Sequence, residues 1–328
     1  MLSLQVRTYC RAFRQPLRTA HGPWEKRSGL MLRLADEHGR SALGEIAPLS
    51  WFGTETLAQA QVFCDRWPHR FAAKKIAEIP QALPACQFGF GAALDRLADE
   101  PHRTPSSSSP SPAAICALLP TGEAALTRWS ELWERGHRTF KWKIGVAPVA
   151  EELSLVHSLT KALPPTAQLR LDANGGLTAE AALAWLSACD RAPVTIEFVE
   201  QPLPPNQIID WLHQTRGRFN TPIALDESVA TLQQLQSVYQ QVGNQVIYVL
   251  KPAIVGFPRQ LLDYCLAHRL DVVLSSALET PVGRTVAWTL AQRFWAAGRP
   301  QRALGFGVDH WFVDDWAHLS EAELWQQL

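Results

Sequence analysis

Short apolar runs alternate with longer amphipathic stretches along the last two thirds of the chain. The runs have the length and composition of buried strands, and helical periodicity fills most of the intervals between them. Eight strands are predicted, over residues 115–119, 139–145, 168–173, 194–200, 222–226, 246–251, 271–276 and 304–307. Eight strands in about 190 residues favour a closed (β/α) barrel with an incomplete last helix over an open doubly wound sheet. No G-x-G-x-x-G follows the first strand, so a dinucleotide-binding fold loses its main support.

The first hundred residues follow a different pattern. Strand-like alternation over residues 2–7 and 30–34 is followed by helical patterns over 54–66 and 91–98, which is typical of a small α+β domain. Residues 101–112 contain four prolines and four consecutive serines and are predicted to form a surface linker. The predicted division is an α+β domain over 1–110, a modified barrel over 111–310 and a C-terminal segment over 311–328 that can return to the first domain.

Composition and charge narrow the class of function. The 328 residues are 47% hydrophobic and 19% charged, which is typical of a folded globular protein. Because 31 basic residues balance 31 acidic ones, no overall field favours nucleic acid or a membrane surface, and a small molecule is the expected partner. No apolar run suits a membrane span or a signal peptide, so a cytoplasmic location is expected. The six cysteines are dispersed and expected to be reduced and buried, without zinc-ligand spacing.

Charged and polar side chains end the predicted barrel strands at corresponding positions. They lie 25 to 29 residues apart, close to one βα unit, and comprise Lys143, Asp172, Glu200, Asp226, Lys251 and Ser276. A buried barrel strand has little reason to end in a charge except at an active site, and active sites of such barrels lie at the C-terminal rim. The spacing therefore predicts that these six side chains lie around that rim.

Strand alternation assigns further side chains to the inner face, since residues two apart share a face. Lys141 is predicted to face inward with Lys143. Arg170 and Asn174 are predicted to face inward with Asp172.

The same alternation orders the next two strands. Phe198 and Glu200 are predicted to face inward, and Glu197 outward. Asp226 is predicted to face inward, so Glu227 should point elsewhere.

Three carboxylates are thus expected to converge from adjacent strands, those of Asp172, Glu200 and Asp226. They repel one another unless a cation neutralises them. Oxygen ligands without Cys or His favour Mg²⁺ over zinc, and three carboxylates leave positions for water and a substrate oxygen. Lys143 and Lys251 would flank this cluster, where a lysine can serve as a general base. The pattern indicates removal of a proton α to a carboxylate that the cation holds.

Five motifs closely resemble the enolase superfamily, specifically its muconate lactonising subgroup. They are K-x-K at 141–143, L-D-A-N at 171–174, V-E-Q-P-L at 199–203, A-L-D-E-S at 224–228 and L-K-P at 250–252. The resemblance continues in G-E-I-A-P-L at 44–49 and F-G-F-G-A-A-L at 88–94. It implies an α/β fold, a (β/α)7β-type TIM barrel with an α+β capping domain. It also implies Mg²⁺ binding by the three acids and catalysis by the two flanking lysines.

Within the superfamily, the chain is most similar to the o-succinylbenzoate synthase family. The similarity rests on the short chain, W-F-G at 51–53, S-S-A-L-E-T at 275–280 and G-F-G-V-D at 305–309. It implies a lyase that performs a syn dehydration of 2-succinyl-6-hydroxy-2,4-cyclohexadiene-1-carboxylate to 2-succinylbenzoate, a step toward menaquinone or phylloquinone. Lys141 and Arg170 would then lower the pKa of Lys143 or hold the substrate carboxylate. Further expected substrate contacts are Asn174, Ser275 and Ser276, beneath a closing loop over 18–24.

Two other functions fit the same motifs. An N-acylamino acid racemase or dipeptide epimerase needs the same two lysines on opposite faces, but dipeptide epimerases carry D-x-D on the eighth strand, where this chain has Gly307, Val308 and Asp309. A non-catalytic barrel that binds a carboxylate is the third possibility. The sequence leaves the oligomeric state open.

Overall fold

The computed structural model describes residues 1–19, 22–98 and 110–328. The predicted linker therefore lies, as far as residue 109, outside the described residues. Within these ranges no helix has the length and apolar character needed to cross a bilayer. The regular elements of the first part are β1 (Leu2–Thr19), β2 (Gly22–Asp36), β3 (Ser41–Ile46), α1 (Leu57–Arg66), β4 (Arg70–Phe71) and α2 (Pro84–Ala98).

The first part, which we call the capping domain, is an antiparallel sheet covered by helices. Its strand order is β3-β2-β1-β4, and α1 and α2 pack on one face of the sheet. Helix α2 approaches β3 very closely, since a Cβ on Gly44 would lie 2.0 Å from the Gly89 carbonyl oxygen. The two glycines therefore allow a helix to lie directly against the strand that carries Glu45.

The second part contains seven parallel strands that alternate with helices. The strands are β5 (Ala117–Leu118), β6 (Thr139–Lys143), β7 (Gln168–Asp172), β8 (Thr195–Glu200), β9 (Ile223–Leu225), β10 (Ile247–Leu250) and β11 (Val272–Leu274). The helices are α3 (Ala125–Glu134), α4 (Val149–Ala162), α5 (Ala179–Cys189), α6 (Pro205–Thr215), α7 (Leu232–Val242), α8 (Pro252–Val255), α9 (Pro258–Ala267), α10 (Pro281–Ala296) and α11 (Glu321–Gln327). The strands pair in chain order from β5 to β11.

The sheet closes through the eighth predicted strand, which is reduced to two bridges. Leu304 pairs with Ile115 beside β5, and Gly305 pairs with Ser275 beyond β11. The predicted barrel is thereby confirmed. Outward-facing strand residues join one large core with the surrounding helices, whereas the interior holds the small apolar cluster Phe198, Ala224, Ile247, Val249 and Val273.

The end of the chain returns to the first sheet. Leu324 and Trp325 of α11 pack against Met31 and Leu43. Arg7 of β1 lies with its guanidinium carbon 4.4 Å from the centre of the Trp325 ring. The predicted division of the chain, with boundaries at residues 110 and 310, stays a prediction.

The cysteines differ from the prediction at one position. All six are free thiols, and five are buried, but Cys10 is exposed on β1. Strand alternation explains the exception, because Cys10 follows the buried Tyr9 and therefore points to the opposite face.

Candidate active site

The strand ends bring most of the predicted residues to one rim of the barrel. Lys143 pairs with Asp172 in the register of β6 and β7, and Asp172 pairs with Glu200 in the register of β7 and β8. In the next pair, Glu200 lies opposite Ala224, so Asp226 is two residues further along. A staggered register of this kind accompanies the tilt of the strands to the barrel axis that closure requires.

Lys141 lies between two of the three predicted metal ligands. Its Nζ is 2.6 Å from Asp172 Oδ2 and 2.7 Å from Glu200 Oε1. Burial by itself lowers the pKa of Lys141, but the charges of Asp172 and Glu200, with a contribution from Asp226, raise it well above its usual value. Lys141 therefore stays protonated and holds two carboxylates that would otherwise repel each other.

Glu200 is the most deeply buried of these acids. Burial, and then repulsion from Asp172, raise its pKa to about 8, although the Lys141 ammonium opposes the shift. The repulsion arises because acids on adjacent strands lie within interaction distance of one another.

Lys251 lies on the other side of the cluster. Its Nζ forms an ion pair with Asp226 Oδ1 and lies 4.4 Å from the centre of the Phe52 ring. Phe52 belongs to the capping domain, so one side chain from that domain reaches the barrel mouth above Lys251. An ammonium over an aromatic face is favourably placed.

Lys143 is half-buried and lies two residues beyond Lys141 on the same face of β6. It is thus one strand away from Asp172, while Lys251 directly follows β10, the strand after Asp226. The carboxylate cluster separates the two lysines along the rim, as the sequence predicts.

Arg170 lies one layer below the rim. Its Nε is 2.7 Å from Glu197 Oε2, and Arg302 Nη1 is 2.5 Å from Glu197 Oε1. The register of β7 and β8 shifts between residues 169 and 170, so β8 contains a bulge. The bulge turns Glu197 to the inside, and the prediction that Glu197 faces outward is wrong. A substrate contact by Arg170 stays a prediction.

Asn174 continues from Asp172 in a left-handed conformation, with φ of 43°. Its backbone N–H donates to Asp172 Oδ1 at 3.0 Å, and its Nδ2 donates to Glu227 Oε1 at 3.1 Å. Burial, followed by the charges of Asp226 and Asp172, raises the pKa of Glu227 to about 7. The prediction that Glu227 points away from the cluster is therefore wrong, because the strand ends at Leu225 and a 3-10 turn over Glu227–Val229 breaks the alternation.

The two serines after β11 occupy different environments. Leu250 pairs with Leu274, so the next position brings Ser275 beside Lys251. Ser276 is buried, and its Oγ is 2.9 Å from Glu279 Oε2. The rim position assigned to Ser276 therefore belongs to Ser275, one residue earlier.

Gln201 is a site residue that strand periodicity does not reveal. It is fully buried and has a φ of 38°, in the left-handed region that non-glycine residues rarely adopt. Its Oε1 accepts from the N–H groups of Asp226 and Ser228, and its Nε2 donates to Ser228 Oγ at 2.8 Å. The sequence offers one signal for this role, which is the polar amide that follows Glu200 in the V-E-Q-P-L motif.

The acids suit a hard cation by the chemistry of their donor atoms. Among the described residues no three acidic, His or Cys side chains already form a metal cluster. In this structure Asp172 and Glu200 contact Lys141, and Asp226 contacts Lys251. The three carboxylates supply only oxygen donors, which suit a hard cation. Burial, and then the charges of Asp172 and Asp226, raise the pKa of Glu200, as expected where carboxylates lie close together.

Aromatic residues of the capping domain pack against one another and against residues of the second part of the chain. Trp24 of β2 contacts Trp51 edge-to-face at 4.9 Å and Phe13 of β1 at 5.1 Å between ring centres. Phe13 in turn contacts Phe312 at 5.0 Å. Of the predicted closing loop, residues 20–21 lie outside the described residues, as does the side chain of Arg18.

Comparison with protein families gives two matches that follow the division of the fold. A model described as enolase C-terminal domain-like matches residues 124–316. A model described as the MenC N-terminal domain matches residues 4–97.

Known proteins of similar sequence extend this result. An o-succinylbenzoate synthase from Thermosynechococcus vestitus is 42% identical over 313 residues, which span 94% of this chain and 92% of that protein. An o-succinylbenzoate synthase from Thermobifida fusca is 28% identical over 283 residues, 86% of this chain and 75% of that protein.

Solved structures show the same fold over nearly the full length. The o-succinylbenzoate synthase of Thermosynechococcus elongatus, crystallised with Mg in its active site, has a TM-score of 0.88 and 41% identity, covering 99% of this chain and 100% of its own. Muconate lactonizing enzyme from Pseudomonas putida has a TM-score of 0.75 and 19% identity, covering 96% and 90%, and supports the fold alone.

Proposed function

The chain belongs to the o-succinylbenzoate synthase family of the enolase superfamily, and from this premise we propose that Lys143 and Lys251 are the acid–base and electrostatic partners of its dehydration. The protein is a Mg²⁺-dependent lyase that converts 2-succinyl-6-hydroxy-2,4-cyclohexadiene-1-carboxylate to 2-succinylbenzoate. The observation that carries the assignment of residues is the position of the two lysines on either side of Asp172, Glu200 and Asp226.

Asp172, Glu200 and Asp226 would hold the magnesium ion. When bound, the ion supplies positive charge that stabilises negative charge on the substrate carboxylate. Lys141 lies close enough to Asp172 and Glu200 to fix both side chains before binding, and its raised pKa keeps its charge in place.

Lys143 is proposed as the base. Its neutral amine takes the proton α to the carboxylate, and the C–H electron pair moves into an enediolate. The C–O bond to the ring hydroxyl then breaks, the same lysine returns its proton to the departing oxygen, and water leaves. Both transfers occur on one face, because one amine performs them, and the ring becomes aromatic.

Lys251 is proposed to act by its charge from the other side. Its ammonium is held by Asp226 and by the face of Phe52, so its position is fixed from both the barrel and the capping domain. Charge placed in advance beside a developing anion lowers the barrier without reorganisation during the reaction.

The test follows the ultraviolet absorbance of the cyclohexadiene carboxylate with the purified chain, in Mg²⁺ and in EDTA. We expect metal-dependent formation of the aromatic product, reduced by about 10³-fold or more in Lys143→Ala. Lys161→Ala, which removes an exposed lysine of α4, is the matched control. Retained turnover in Lys143→Ala would remove that lysine from its assigned role.

Two further measurements distinguish the alternative functions. Exchange of an α-proton for deuterium in an N-acylamino acid or dipeptide, with no dehydration of the cyclohexadiene carboxylate, would indicate a racemase or epimerase. Binding of the carboxylate without turnover of any of these would indicate a binding barrel. We further infer a cytoplasmic location. The proposed substrate is a soluble carboxylate, which supports this inference.

A further inference from the structure

Two buried charged residues of the capping domain contact the barrel segment that follows β11. Glu45 of β3 has 0% of its surface exposed, and Arg27 of β2 has 2%. Their contacts converge on residues 275–280, which we call the 275–280 loop. Neither residue belongs to the machinery proposed above, yet burying a charge is costly unless strong partners compensate it.

Glu45 accepts its hydrogen bonds mainly from the barrel. The Thr280 N–H is 2.9 Å from each carboxylate oxygen, Thr280 Oγ1 is 2.6 Å from Oε2, and the Gly283 N–H is 3.0 Å from Oε2. Tyr9 donates to Oε1 at 2.5 Å from within the capping domain. Thr280 caps the N-terminus of α10, so a carboxylate of one domain lies at the positive end of a helix of the other.

A glycine makes this approach possible. A Cβ on Gly283 would lie 2.7 Å from Glu45 Oε2, which is closer than side-chain atoms tolerate. The absence of a side chain at Gly283 therefore leaves room for the Glu45 carboxylate at the first turn of α10.

Arg27 holds the middle of the 275–280 loop. Its Nε donates to the Ala277 carbonyl at 3.1 Å, and its Nη groups donate to the carbonyls of Pro48 at 2.9 Å and Ala47 at 2.5 Å. The guanidinium thus joins two stretches of backbone that belong to different domains, using the fixed fork of donors that arginine provides.

The 275–280 loop needs such support because its backbone is strained. Leu278 has a φ of 61°, which is uncommon for a branched residue. Glu279 turns back to accept from Ala277 N–H at 2.6 Å and Ser276 Oγ at 2.9 Å. A strained conformation persists only where the surroundings determine it.

We propose that Glu45 and Arg27 are positioning residues, which fix the 275–280 loop from the capping domain and thereby set the pocket wall beside Lys251. The loop begins at Ser275, the residue next to Lys251 in the strand register. The effect on substrate rests on the proposed function, whereas the effect on the loop does not. The capping domain would then act on the site through these buried contacts as well as through Phe52, which lies beside Lys251.

Hydrogen–deuterium exchange of the full chain tests the effect on the loop without reference to activity. In Glu45→Gln an amide nitrogen replaces one acceptor, and we expect exchange in residues 277–283 to rise about tenfold, with other barrel amides unchanged. Glu37→Gln, at an exposed acid of the same domain, is the matched control. Tyr9→Phe, which removes only the hydroxyl that donates to Glu45 Oε1 and leaves the cap of α10 intact, is the milder second variant and should move the same amides.

Kinetics then test the effect on substrate. We expect KM for the cyclohexadiene carboxylate to rise about tenfold in Glu45→Gln, with kcat within about twofold and Mg²⁺ affinity unchanged. Unchanged exchange in both variants, or exchange that rises equally throughout the chain, would overturn the positioning role. A wild-type protein without turnover would instead overturn the proposed function, and the exchange result would still decide the role of Glu45.

Discussion

The side-chain oxygen Oε1 of Gln201 accepts a hydrogen bond at 3.1 Å from the backbone N–H of Asp226, one strand away. Gln201 follows Glu200 directly, so a single residue ties the ends of two strands that carry proposed Mg²⁺ ligands. The strained φ of 38° at Gln201 directs its amide toward the neighbouring strand, which gives the strain a functional reason. The spacing between the two carboxylates is thereby fixed by the fold before any ion binds.

Replacing Gln201 should weaken Mg²⁺ binding. Gln201→Met keeps the size of the side chain but leaves the N–H groups of Asp226 and Ser228 without their acceptor. Loss of such outer contacts typically weakens metal affinity tenfold or more, and we expect about a tenfold rise in the Mg²⁺ Kd by calorimetry. Gln207→Met, on the exposed side of α6, is the control. Equal Mg²⁺ affinities in both variants would contradict the role of Gln201.

The rim itself could be predicted from the sequence, because the carboxyl ends of consecutive parallel strands lie at one edge. Asp172, Glu200 and Lys143 required only the strand spacing and the alternation within each strand. Glu197 shows where this reasoning fails, since a bulge adds one residue and reverses the parity of part of a strand. The charge was itself a signal, because an unpaired carboxylate facing an apolar helix layer would be costly.

Partners from distant parts of the chain were beyond sequence reasoning. Glu45 and Thr280 are 235 residues apart, and nothing in either local pattern indicates that they meet. The spacing places Ser276 at the rim because strand ends are uncertain by one residue, and only the pairing of Leu250 with Leu274 identifies Ser275 instead.

Glu152 should stabilise the loop that follows the strand of Lys143. Its carboxylate accepts from the N–H groups of Gly145, Val146 and Ala147 at 2.8, 2.9 and 3.0 Å. In Glu152→Ala these three N–H groups lose their carboxylate acceptor. We therefore expect the free energy of unfolding, measured by urea denaturation, to fall by about 1–3 kcal/mol. Glu151→Ala removes the exposed neighbouring acid and should change stability little. A loss of similar size in both variants would show that helix charge, not the loop, is responsible.

The cysteines should differ sharply in reactivity. Burial raises the pKa of Cys116 to about 11 and those of Cys189 and Cys265 to about 12, which leaves little thiolate at pH 8. With a disulfide reagent we expect one thiol per folded chain to react rapidly and all six to react in denaturant. Cys10→Ser should abolish the rapid phase. A rapid phase that survives this substitution would place a second thiol at the surface.

Arginine substitutions should separate the two lysines by chemistry. An arginine keeps the positive charge but cannot give up a proton near neutral pH. If Lys143 transfers the proton, Lys143→Arg should lose turnover as completely as Lys143→Ala. If Lys251 acts by charge, Lys251→Arg should keep roughly ten times the kcat of Lys251→Ala, since its guanidinium can still pair with Asp226 and lie over Phe52. Lys161→Arg serves as the control for the substitution itself.

Equal and complete loss in both arginine variants would mean that Lys251 also exchanges a proton. That result would point to chemistry with two bases on opposite faces, as a racemase uses, and would require the assignment of Lys251 to be revised.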